Sequence, residues 1–152
     1  EIAGPIILEL KSSSTNVDTD FVVKISDQYP QAKADRKSAL QPTFQVVSKG
    51  WMRASHRQKD MKNSTKMRPF YTHCDPQPIE PGRIYTFEIE VMPCAHRFKK
   101  GHRIRLEILN GDSPITDSLF THQYLYYKVG TDTFWHNAEY ASCLKLPVVT
   151  GK

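Results

Sequence analysis

Tyr85-Thr86-Phe87-Glu88-Ile89-Glu90-Val91 alternates apolar and polar side chains along its whole length. Successive side chains of a strand point to opposite faces, so the segment predicts a half-buried β-strand with one wet side. Ile104-Arg105-Leu106-Glu107-Ile108 repeats the pattern, and Leu144-Lys145-Leu146-Pro147-Val148 carries it near the end. Alternation of this kind belongs to antiparallel sheets, because strands covered on both faces read as continuous apolar runs. It places Tyr85, Phe87, Ile89 and Val91 in one core with Ile104, Leu106 and Ile108. Thr86, Glu88, Glu90, Arg103, Arg105 and Glu107 are then expected to face water or a partner domain.

Further strands are expected over 6–10, 20–26, 44–51, 124–129 and 134–136. Turn chemistry separates them: Ser12-Ser13-Ser14, Pro42, Pro81-Gly82, Lys100-Gly101, Asn110-Gly111 and Val129-Gly130. Pro147 suggests an edge position or a strand end, since proline donates nothing to the ladder. No long segment holds a helical stripe. Short strands with turns between them predict an all-β fold, an antiparallel jelly-roll β-sandwich. The connection from 56 to 79 is long, basic at first and then aromatic and proline-rich. It is expected to cross an edge of the sandwich as an ordered loop.

The 152 residues suffice for one domain with a real core. Charged residues are 24% and apolar ones 39%, the balance of a folded globular chain and not of a disordered one. The net charge of +5 raises nucleic-acid binding. The basic residues mostly alternate with apolar or acidic ones, however, so solvated strand faces and a solvated loop at 53–68 are expected instead. No apolar run is long enough for a membrane-spanning helix. Three cysteines without a CxxC pair predict free thiols in a reducing, cytoplasmic compartment. The opening Glu1-Ile2-Ala3-Gly4-Pro5 reads like the middle of a longer polypeptide. Asn63-Ser64-Thr65 is a glycosylation sequon that matters only in a secreted protein.

Little here suggests catalysis. The nucleophile elbow GxSxG is absent from these residues. Ser55 beside His56 is a sequence neighbour only, and Cys94 near His96 lacks an orienting third group. The six histidines match no standard ligand spacing, and a cupin-like HxH set is missing, so neither metal nor cofactor is expected. His96, Phe98, Gly101 and His102 are read as a structural corner, with Phe98 buried and Gly101 turning the chain into the next strand. Phe98→Ala should on that reading cost about 3–5 kcal/mol. Trp51, Phe70, Tyr71, Tyr124, Tyr126, Tyr127 and Trp135 suit packing against a partner domain. Their alternative use, a sugar-binding groove, makes a free-standing carbohydrate-binding module the rival reading.

The motifs together resemble a known family. Glu1-Ile2-Ala3-Gly4-Pro5, Ser12-Ser13-Ser14 and Asp18-Thr19-Asp20-Phe21 are similar to the opening of the C-terminal domain shared by cocaine esterase, α-amino-acid ester hydrolases and X-prolyl dipeptidyl-peptidases. The likeness continues through Gly50-Trp51-Met52-Arg53-Ala54-Ser55-His56-Arg57 and Glu80-Pro81-Gly82. It is strongest from His96 through Phe98, Gly101 and His102 to Ile108, and closes with His136, Ser142, Leu144 and Leu146-Pro147-Val148. The resemblance implies a galactose-binding-like jelly roll, lacking here an N-terminal edge strand. It would follow an α/β-hydrolase domain of the same polypeptide that carries the whole catalytic triad, leaving no catalytic residue in this chain. It further implies that the domain borders the substrate cleft, with Leu10 and Lys11 at the rim, and that it takes part in homodimers in some members. Lys11 stands where that family often has an apolar residue. Neither nucleic acid nor membrane is an implied partner.

Overall fold

The computed structural model describes residues 1–30, 43–111 and 129–150. Among these residues seven strands run in the order β1 (Ile2–Ser14), β2 (Asp20–Gln28), β3 (Phe44–Arg53), β4 (Tyr85–His96), β5 (Arg103–Leu109), β6 (Asp132–Trp135) and β7 (Cys143–Lys145). The 3₁₀ turn Ala54–His56 follows β3. The strand expected at 124–129 lies almost wholly outside the described residues.

Among the described residues all the pairings between strands are antiparallel, and the strands lie side by side as β5-β2-β3-β4-β1-β6, with β7 also on β1. The sheet curls on itself. Residues paired directly across an antiparallel ladder share a face, and Leu10↔Phe87, Leu8↔Ile89 and Ile6↔Val91 bring six apolar side chains onto one side of β1 and β4. Phe21, Val23 and Ile25 of β2 meet them in one buried cluster, and the Phe21 and Phe87 ring centroids stand 4.9 Å apart. The fold is thus two layers of one antiparallel sheet, as a β-sandwich requires.

The hinge between the layers is the seam of β3 and β4, which pair at Gly50↔Val91 alone. A Cβ on Gly50 would stand 2.3 Å from the carbonyl oxygen of Glu90, so only glycine lets the two backbones approach this closely. Ser48 reinforces the seam by donating to the carbonyl of Met92.

Two expectations need correction. Ser12-Ser13-Ser14 is not a turn but the end of β1, paired with β6. The hydroxyls make burial there affordable: Ser12 donates to the Thr133 carbonyl, and Ser13 accepts from the Trp135 indole. On β5, Ile104 and Leu106 are 44% and 39% exposed, although they were expected in the shared core. Leu106 pairs with Ile25 and Ile108 with Val23, which places them on the core side of the sheet, yet Arg105 and Glu107, expected to face water, are half-buried on the other side. β5 is the last strand of the described order, however, so only Ile108 reaches the cluster. Face is set by period; burial also needs something opposite.

Candidate functional site

The outer face of β1 and β4 is a ladder of charges. Glu9 lies between Lys145 at 2.9 Å and Lys11 at 3.2 Å, and Lys11 also donates to the Thr86 hydroxyl at 2.8 Å. Hydrogen bonds from Lys145 and Lys11 hold the Glu9 carboxyl below its ordinary value. Leu10 and Lys11, neighbours in sequence, consequently have opposite fates. Leu10 is 1% exposed inside the core, whereas Lys11 stands half-buried on the outer face.

The rest of that face is covered by the long connection after the 3₁₀ turn. Lys59 pairs with Glu88 and Arg68 with Glu90, while the Tyr71 hydroxyl donates to the Glu88 carbonyl. Burial, with the charges of Glu88 and Glu90, pushes the Tyr71 hydroxyl up, so it remains a protonated donor. The connection also bridges itself at Lys59↔Tyr71 and Thr65↔Arg68. The outward glutamates of β4 thus meet a segment of their own chain.

At the opposite end, the corner encloses a buried carboxylate that sequence reading missed. His96 donates through Nε2 to one oxygen of Asp27 at 2.9 Å, and His102 through Nδ1 to the other at 2.8 Å. Burial alone would raise the Asp27 carboxyl, but the two imidazoles hold it below its ordinary value. Phe98 is half-buried against the core, its ring edge-on to His96 at 4.7 Å. Gly101 has φ +85°, the left-handed conformation that glycine adopts without cost, and the His102 amide closes the turn onto the Lys99 carbonyl. Asp27 sits between Ser26 and Gln28 at the polar end of β2, so nothing in the sequence marks it.

The sign of the Asp27 effect follows from linkage. A carboxyl lowered on folding adds stability that is present above its unfolded value, about 3.9, and disappears as pH falls through the folded value. Asp27→Asn is therefore expected to destabilise at pH 7 and to match the wild type increasingly well in acid. Urea midpoints measured at neutral pH and near pH 3 check this. A gap independent of pH would show that Asp27 acts through packing alone.

The two sequence-level nucleophile pairs are not assembled. The Ser55 hydroxyl and amide both donate to the Asp18 carboxylate, at 2.9 and 2.8 Å, and His56 turns instead to His73. His96 is held by Asp27, and burial raises the Cys94 thiol, the reverse of what an activated thiolate needs. Of the aromatic set, Trp51 and Tyr71 share a pocket of about 400 Å³ with His56, His73, Arg68, Glu90 and Met92. Trp135 stacks edge-on to Tyr140, and Tyr124, Tyr126 and Tyr127 lie outside the described residues.

Residues 1–144 match the family described as the X-Pro dipeptidyl-peptidase C-terminal non-catalytic domain. The chain belongs to this family. Cocaine esterase of Rhodococcus sp. (strain MB1 Bresler) is 27% identical over 117 residues, covering 77% of this chain and 16% of that protein. A CocE/NonD family hydrolase from Staphylococcus aureus superposes over 98% of this chain and 28% of its own, with a TM-score of 0.79 at 22% identity. An α-amino acid ester hydrolase does so over 97% and 23%, with a TM-score of 0.69 at 20% identity. The chain therefore spans about a sixth of the curated relative and about a quarter of the solved ones. An X-Pro dipeptidyl-peptidase C-terminal domain is non-catalytic by its family's description, and in these relatives the match is one part of a larger protein.

Proposed function

We propose that this domain packs on an α/β-hydrolase catalytic domain of the same polypeptide and borders its substrate cleft, with Lys11 at the rim. The observation that carries the reading is the split at the end of β1. Leu10 anchors the strand in the core, and the next residue presents an ammonium on the outer face, oriented by Glu9 and Thr86. Leu10 thus acts on the rim by fixing the strand, and Lys11 is the side chain available to a neighbour. The parent reaction on this reading is acyl transfer through a serine acyl-enzyme, with the triad and oxyanion hole in the catalytic domain.

The 152-residue chain alone is expected to leave p-nitrophenyl acetate and X-Pro-nitroanilides unhydrolysed. Activity that vanishes on Ser55→Ala or Cys94→Ala would sink the non-catalytic assignment. In the parent enzyme, Lys11→Leu is expected to change KM several-fold across a series of acyl substrates while leaving thermal stability unchanged. A KM series untouched by that substitution would remove Lys11 from the cleft.

A further inference from the structure

His56 and His73 are 17 residues apart in sequence, yet their Nδ1 atoms stand 3.0 Å from each other. His56 closes the 3₁₀ turn that follows β3. His73 lies in the connection, where it has φ +56° and is the only non-glycine residue with positive φ among the described ones. Both rings border the pocket that holds Trp51, Met92, Arg68 and Glu90. Two neutral imidazoles this close share one proton, one ring donating and the other accepting. A metal ion takes the place of this hydrogen bond readily, since the donating ring moves its proton to Nε2 and each neutral ring then offers its Nδ1 lone pair.

The spacing is close to what two adjacent ligands of one metal ion need. Two metal–nitrogen bonds of about 2.05 Å that span 3.0 Å subtend roughly 94° at the metal. That is the angle between adjacent positions of a square-planar or octahedral sphere; a tetrahedral site would need the nitrogens about 3.3 Å apart. Imidazole donors in tetragonal geometry suit Cu²⁺ and Ni²⁺, whereas Mg²⁺ and Ca²⁺ prefer oxygen. We propose that His56 and His73 form a two-histidine site for a late first-row divalent cation, Cu²⁺ or Ni²⁺ ahead of Zn²⁺, bound through both Nδ1 atoms.

Water completes the sphere. The other polar groups nearby are engaged: Glu90 with Arg68, the Tyr71 hydroxyl with the Glu88 carbonyl, and the Cys74 thiol with the Thr72 carbonyl. No group of three or more His, Cys, Asp or Glu side chains suited to a metal occurs among the described residues, so the site has two protein ligands and open positions toward the pocket. The ion would fasten the connection to the end of β3. Because the two histidines meet only in the folded chain, binding would also stabilise the fold.

The test is titration of the 152-residue chain with Cu²⁺, Ni²⁺, Zn²⁺ and Mg²⁺, followed by calorimetry and by paramagnetic resonance of the copper form. One Cu²⁺ per chain with hyperfine coupling to two imidazole nitrogens is expected. Its affinity should fall at least tenfold on His56→Gln or His73→Asn. Asparagine tolerates the left-handed conformation at 73, so folding is retained there. His136→Ala and Cys74→Ala should leave binding unchanged. At hundredfold saturation the melting temperature should rise by about 5–10 °C in wild type and not in the double variant. Copper binding equally tight in the double variant, or a spectrum with fewer than two coupled nitrogens, overturns the site.

Discussion

Phe87→Ala is expected to lower the unfolding free energy by about 3–5 kcal/mol, the range for emptying a large ring from a packed core. Phe87 is 1% exposed and lies opposite Leu10 on β1. Its ring stands 4.9 Å from Phe21 and 6.2 Å from Tyr85, so it touches both layers of the sandwich. Collapse into the vacancy is resisted because the surrounding positions belong to hydrogen-bonded strands rather than to loops. Urea unfolding should show a lower midpoint with an unchanged slope. A chain of this size would lose roughly 10 °C in melting temperature. A cost under about 1 kcal/mol would mean that the layers are not held together at this ring.

The same substitution at Phe98 is now expected to cost less than the sequence alone suggested. Its ring is half-buried, and it meets His96 edge-on at the corner instead of filling the centre. Part of its area is wet already, and transfer energy scales with the area removed from water. The contrast between the two phenylalanines measures where the core ends.

Period-two alternation located β4 and β5 because side-chain direction in a strand is a local property. The extent of β1 was less legible. Its apolar run suggested residues 6–10, but pairing extends it to Ile2–Ser14, through a register shift at Gly4-Pro5 and across three serines. Those serines look like a turn until β6 supplies their partners. Burial on β5 was illegible for a related reason, since it depends on what lies across from Ile104 and Leu106. The two polar clusters were harder still. Asp27 meets His96 and His102 from 69 and 75 residues away, and His56 meets His73 across 17. No fixed spacing announces such meetings, because the curl of the sheet and the path of the connection create them. The family resemblance, by contrast, rested on ordered motifs, and one of them contains a glycine whose role is now physical.

That glycine is Gly50, and Gly50→Ala sets two opposing effects against each other. Alanine restricts the unfolded chain, which at a tolerant site stabilises by about 0.4–1 kcal/mol. Gly50 has no positive φ, so backbone conformation raises no objection. The objection is space. The new methyl would lie 2.3 Å from the Glu90 carbonyl oxygen and 2.9 Å from the Val91 Cα. Both are main-chain atoms of β4, unable to swing aside as a side chain tip would. Overpacking a filled interior typically costs 1–3 kcal/mol and occasionally more, and here relief requires parting the only paired position between β3 and β4. Steric cost therefore exceeds the entropic gain, and the variant should lose about 2 kcal/mol net. The loss should be accompanied by faster amide exchange at the seam, where Ser48 bonds the Met92 carbonyl. A neutral or stabilised Gly50→Ala would show that the two layers do not approach at this residue, and the hinge of the sandwich would have to lie elsewhere.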